Sequence, residues 1–188
     1  MPNPEYHLRY LRASLENLED YLLSSTLFWP SGISAPTGEA PFPHITIGNL
    51  LVERAMLSAM MAGAASATAP LADIEAVLER VMSKWRVAWE GKVDAEIPSR
   101  LRQWQEWLRD EGADGPPAPG HYRSGIRLRL LLDLLGEQGT KAASNLAAQL
   151  PALDSRLRAM VQSGDFVWDE VYQAGFPQDK YWYLYTAL

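Results

Sequence analysis

The side chains that could do chemistry in this sequence are few and scattered. Cysteine is absent, which removes thiolate metal sites, iron–sulfur ligation, disulfide scaffolding and a thiol nucleophile. The three histidines, His7, His44 and His121, lie far apart. None has a second histidine three or four residues away, and no His-Glu-x-x-His or Glu-x-x-His puts two ligands on one helix face. The plain reading has His7 near the start of a helix, His44 in a proline-rich loop and His121 at a loop–helix junction. No metal and no cofactor is therefore expected. The glycine-rich phosphate cradles and the G-x-S-x-G elbow are also missing. Glu75 and Glu79 stand one helical turn apart with Asp73 beside them, but Arg80 and Lys84 follow closely. That mixture is the pattern of a solvated, salt-bridged helix face.

Arginines gather between residues 99 and 130: Arg100, Arg102, Arg109, Arg123, Arg127 and Arg129, interleaved with Glu106, Asp110, Glu111 and Asp114. Trp104 and Trp107 lie among them, and arginine with tryptophan can hold a single-stranded nucleic acid by phosphate pairing and base stacking. The whole chain carries a formal charge of −6, however. Outside this stretch it repels a polyanion, so nucleic-acid binding is not expected.

Two groups of apolar residues remain as candidate surfaces. Trp85 and Trp89 are four residues apart and Trp104 and Trp107 three, so each pair shares a helix face. Together with Tyr181, Trp182 and Tyr185 they are candidates to line a ligand or partner pocket, because tryptophan brings large contact area. The second group sits in a stretch nearly free of charge. Between residues 21 and 72 only Glu39, Glu53 and Arg54 are charged. The helix expected at 45–64 carries Ile47, Leu50, Leu51, Met56, Leu57, Met60 and Met61, which do not fall on one narrow stripe. A helix apolar on most sides must be covered on most sides. Either it is the central helix of a bundle, or Met56, Leu57, Met60 and Met61 form an interface with a second copy or a partner.

The elements that must position these residues are helical. Leu (26) and Ala (24) greatly outnumber Val, Ile and Thr (20 together) in a chain of 188. Leu8, Leu11, Leu15, Leu18 and Leu22 make one stripe, spaced three and four apart, expected to stop at Trp29-Pro30. Leu71, Ile74, Leu78, Val81 and Trp85 make another, with Gly91 as an interruption and Pro98 opening the next helix. That helix carries Leu101, Trp104 and Leu108 and stops near Gly112. Ile126, Leu130 and Leu134 mark a further helix ending near Gly136 or Gly139. Thr140 caps the last one, which Pro151 should kink or split. Residues 30–43 and 112–120 read as loops inside a single helical domain spanning 1–188, not as domain linkers. Residues 166–188 hold eight aromatics, too much apolar area to remain in water. The expected fold is all-α: a bundle of five or six helices with this aromatic segment, turning at Gly175-Phe176-Pro177, packed over it.

No apolar stretch suits a secretory signal or a lipid-facing span, so a cytoplasmic protein with no membrane association is expected. The leading expectation for function is a non-enzymatic helical interaction module, self-associating or a subunit of a cytosolic assembly. The alternative is a small-molecule-binding or enzymatic bundle with an aromatic-lined pocket and His44 or His121 near its mouth. The two need different surfaces. A module needs a broad exposed apolar patch, whereas the alternative needs a cavity on which polar groups converge.

Overall fold

The computed structural model describes residues 3–62, 68–112 and 117–187. Among them are seven α-helices: α1 (Pro4–Glu16), α2 (Leu18–Leu23), α3 (Ile47–Met61), α4 (Thr68–Lys84), α5 (Arg86–Glu111), α6 (Pro119–Gly136) and α7 (Lys141–Met160). A short antiparallel pair, β1 (Gln162–Phe166) and β2 (Tyr185–Ala187), and two 3-10 helices (Glu170–Gly175 and Trp182–Leu184) complete the C-terminal segment. The protein is an all-α bundle with that aromatic segment folded over it.

The first leucine stripe is broken where the backbone is re-bonded locally. Asn3 caps α1, accepting from the Glu5 amide, and Pro4 takes a first-turn position. At Asn17 the side-chain amide donates to the Ala13 carbonyl, and the helix restarts as α2 without losing the buried face of Leu11, Leu18 and Leu22. It ends at Leu23, short of Trp29-Pro30, because the Lys92 ammonium collects the Ser24 and Thr26 carbonyls. Trp29 and Ile45 exchange both backbone hydrogen bonds, which closes the base of the proline-rich loop.

Gly91 and Pro98 do not divide the chain as expected, since α5 runs through both. Pro151 likewise lies inside an uninterrupted α7. Pro98 and Pro151 are both exposed, so the ring and the missing amide face water while the opposite helix face stays packed. Around Pro98 that face buries Trp89, Val93, Ile97, Leu101 and Trp104. Elsewhere the punctuation is as expected: Gly112 follows α5, Gly136 ends α6, and the Thr140 hydroxyl accepts from the Ala143 amide at the start of α7. Residues 113–116 of the expected loop and 63–64 of the expected central helix lie outside the described residues.

Helix α3 is the centre of the bundle, packed by α1, α4, α5, α6 and the 3-10 helix Glu170–Gly175. Thr46 caps it, accepting from the Asn49 amide. The fully buried Glu96 of α5 accepts from the Gly48 amide at 2.9 Å and from Arg100 Nε at 2.9 Å. A carboxylate from a neighbouring helix thus satisfies one of the free amides at the positive end of α3.

The C-terminal segment docks on its own chain. Tyr183 donates to Asp133 Oδ2 at 2.6 Å, Tyr122 to the Tyr183 carbonyl at 2.7 Å, and Trp168 Nε1 to the Arg123 carbonyl at 3.0 Å. Arg158 lies 3.5 Å over the Trp182 ring. The pairing of β1 with β2 was not expected from the sequence. It joins residues 19 to 25 positions apart, and Gly164 meets the backbone of Thr186 and Ala187 so closely that a Cβ would collide.

Candidate functional site

Four polar side chains from four elements meet beside α3. His7 comes from the first turns of α1, Glu53 from the middle of α3, Arg127 from α6 and Tyr172 from the 3-10 helix Glu170–Gly175. His7 Nδ1 donates to Glu53 Oε2 at 2.5 Å, and Arg127 Nη2 donates to Glu53 Oε1 at 2.7 Å. His7 Nε2 lies 2.9 Å from the Tyr172 hydroxyl. His7, Glu53 and Tyr172 are buried, and Arg127 is half-buried.

The electrostatics fix which atom carries which proton. Burial alone would raise the Glu53 carboxyl, but the Arg127 guanidinium and the His7 hydrogen bond outweigh it and hold the group below the ordinary carboxylate range. Glu53 is therefore an anion at neutral pH, and His7 Nδ1 must be the donor between them. Burial, followed by the Glu53 charge, pushes the Tyr172 hydroxyl up, so it stays protonated. In the neutral ring His7 Nε2 accepts the Tyr172 proton; in the imidazolium it donates to the phenol oxygen. The chain Tyr172–His7–Glu53 can thus move a proton between the phenol and the ring, with the carboxylate stabilising the ring cation.

The cluster opens onto two adjoining depressions that share Met56, Arg127 and Tyr172 as a common wall. One, of about 380 Å³, is bounded by Tyr6, His7 and Glu53 and by Glu39, Pro41 and Pro43 of the proline-rich loop. The other, of about 500 Å³, is bounded by Arg123, Val167, Trp168 and Asp169. The C-terminal segment therefore builds one side of the cleft. It approaches very closely: Gly175 rests on Ala59 of α3, with no room for a Cβ. Burial pushes the Tyr6 hydroxyl at the rim up to about 12.

The residues singled out in the sequence go elsewhere. Met56, Leu57 and Met61 are buried and Met60 half-buried, covered by the chain's own helices, so they are not an open face for a second copy. Their apolar breadth reflects the central position of α3, and Met56 alone reaches the cleft. Trp104 is fully buried and stacks on Trp107 at 5.0 Å between α5 and α6, with Trp107 seated against Gly125. Trp85 lies between α4 and α5, half-buried. Trp89 donates to Gln138 at 3.1 Å and borders a separate groove of about 700 Å³ between α4 and α5. Tyr181 and Tyr185 pack within the C-terminal segment, where Tyr185 donates to the Phe176 carbonyl at 2.7 Å, and Trp182 lies between Tyr183 and Arg158 of α7. These seven aromatics are not brought together around one cavity.

His44 and His121 are exposed, and His121 stands 3.5 Å from Glu111. No group of three or more metal-ligating side chains occurs among the described residues. The residue that sequence reasoning passed over is His7, because its partners Glu53 and Tyr172 are 46 and 165 positions away rather than one helical turn. One signal was present. Glu53 is a charge on a helix that must be covered on most sides, and such a charge needs a partner from another element.

Among the described residues no helix is long and apolar enough to cross a membrane. Comparison with protein-family models, with curated protein sequences and with solved structures finds no match to this chain.

Proposed function

We propose that this chain is a small-molecule-binding helical domain, with its ligand held in the cleft between α1, α3, α6 and the C-terminal segment. The observation that carries the reading is the cluster of His7, Glu53, Arg127 and Tyr172 lining one depression, with Arg127 and Tyr172 shared with a second. A cavity with a few converging polar groups is the usual form of a ligand site. The cleft also has the parts for acid–base chemistry. As a base, the Tyr172 oxygen takes a proton from the ligand while its own proton passes to His7 Nε2, leaving an imidazolium beside Glu53.

An interaction module draws less support. The large apolar side chains exposed among the described residues are Leu23, Val87 and Val171, one each on α2, α5 and the 3-10 helix. Scattered single residues of this kind are ordinary for a surface.

An NMR-detected fragment screen tests the proposal, because two tryptophan indoles report on the two principal openings. Hits that shift the Trp168 indole signal and leave Trp89 unmoved are expected. Hits confined to Trp89, or none at all, would overturn the reading.

A further inference from the structure

We infer that the ligand of the cleft is an organic anion with a flat apolar body, held by Arg123 and Arg127 and stacked on Trp168; this rests on the reading of the cleft as a ligand site. Arg123 and Arg127 are four residues apart on α6, so their side chains rise from the same face, and both border the 500 Å³ depression. Glu53 occupies only Nη2 of Arg127, while Nη1 has Met56 Sδ at 3.8 Å as its neighbour. Arg127 also borders a third, smaller depression beside Phe28, so its guanidinium stands where openings meet. Arg123 makes no ion pair among the described residues.

The acidic group at this opening is Asp169, and its Oδ1 is engaged as the cap of the 3-10 helix, accepting from the Val171 amide at 3.1 Å. Glu53 answers the charge of Arg127 and Asp169 stands at the same opening, so what the opening offers an anion is the free guanidinium N–H donors of Arg123 and of Arg127 Nη1. Guanidinium pairs suit carboxylate and phosphate oxygens, which accept two parallel N–H bonds. The apolar side of the recognition is equally specific. Trp168 is fixed by its own Nε1–H on the Arg123 carbonyl and by an edge-on Phe176 ring at 5.9 Å, and Val167 and Met56 extend the wall. A hydrophilic anion would leave this wall unused, and a neutral aromatic would leave the arginines unused.

Matched probes separate the two parts. Binding of 2-naphthoate, 2-naphthyl phosphate and the neutral 2-naphthamide to the full chain is measured by titration of the Trp168 indole signal. Either anion should bind at least about tenfold more tightly than the amide, in line with a charge-assisted hydrogen bond. The ratio of carboxylate to phosphate affinity then says which head group is preferred. Arg123→Gln, at an exposed position where folding is not at stake, should remove most of that advantage and leave the amide unchanged. Equal binding of anions and amide, or an advantage untouched by Arg123→Gln, would overturn the anion inference while leaving a ligand cleft in place. Binding of none of the three would overturn both readings.

Discussion

Two buried polar clusters tie the C-terminal segment to the helices, each through one tyrosine, and they differ in what lies beyond the tyrosine. In the first, Arg129 of α6 pairs with Asp133 and donates to both oxygens of Asp154 on α7, at 2.7 and 2.9 Å. Tyr183 closes it, donating to Asp133 with its ring under the Arg129 guanidinium. Burial alone would lower the Arg129 pKa, but the Asp154 hydrogen bonds and the Asp133 charge raise it instead. Every charge there is answered by protein, which is the form of a clamp. In the second, Tyr172 joins His7, Glu53 and Arg127, and the same side chains line open depressions. The comparison teaches that burial and ion pairing do not by themselves mark a site; a cavity against the cluster does.

The largest effect should come from removing both attachments at once. Truncation before Phe166 deletes Tyr172, Tyr183, β2 and eight aromatics. A buried aromatic cut to alanine costs about 3–5 kcal/mol. Several such losses exceed a typical domain stability of about 5–15 kcal/mol. The truncated chain should lose its cooperative transition in thermal denaturation. A truncated chain that melts normally would show that the segment is not needed for the fold.

Next in size is the clamp alone. Arg129→Met strands Asp133 and Asp154, and leaving a buried charge without its partner costs about 3–5 kcal/mol. Urea unfolding should show that loss, with ligand binding in the cleft retained by the protein that remains folded.

The pH dependence of the second cluster is smaller and has a definite sign. The folded-state pKa of Glu53 lies below its ordinary value of 4.5. Its contribution to stability is therefore complete above that value and fades as pH falls through the folded-state pKa. The stability difference between the wild type and Glu53→Gln should shrink as pH falls below about 4.5. A difference that keeps growing as pH falls below about 4.5 would contradict the ionised Glu53 on which the relay depends.

The smallest effect on stability should be that of Tyr172→Phe, which removes one hydrogen bond to His7, about 1 kcal/mol. Its effect on ligand binding or turnover should nevertheless be large. A variant that melts like the wild type and also binds like it would reduce the second cluster to another clamp.

The contrast between the two clusters also shows what could be read in the sequence. Local physics was legible. The Thr140 cap and the stop at Gly112 depend on neighbours within a turn or two, and the structure has them where the spacing put them; the leucine stripe of residues 8–22 is helical too, but is divided at Asn17 and ends at Leu23. Pro98 and Pro151 misled because their effect depends on which helix face meets water, and that is decided by tertiary packing. The aromatic load of residues 166–188 was enough to require docking, but the pairing of β1 with β2 was not legible, because Gln162–Phe166 has no apolar alternation and Tyr185–Ala187 is only three residues long. The site was least legible, since His7 gains its meaning only when α1, α3, α6 and the C-terminal segment come together. Glu53, on a helix apolar on most sides, was the one local clue.

The most direct measurement of the central claim is crystallographic fragment soaking of the intact protein. The account predicts bound fragments clustered in the cleft, with polar atoms on Arg127 or the Tyr172 hydroxyl and apolar parts against Trp168. Fragments found only in the groove between α4 and α5 beside Trp89, with the cleft bare throughout the screen, would contradict it.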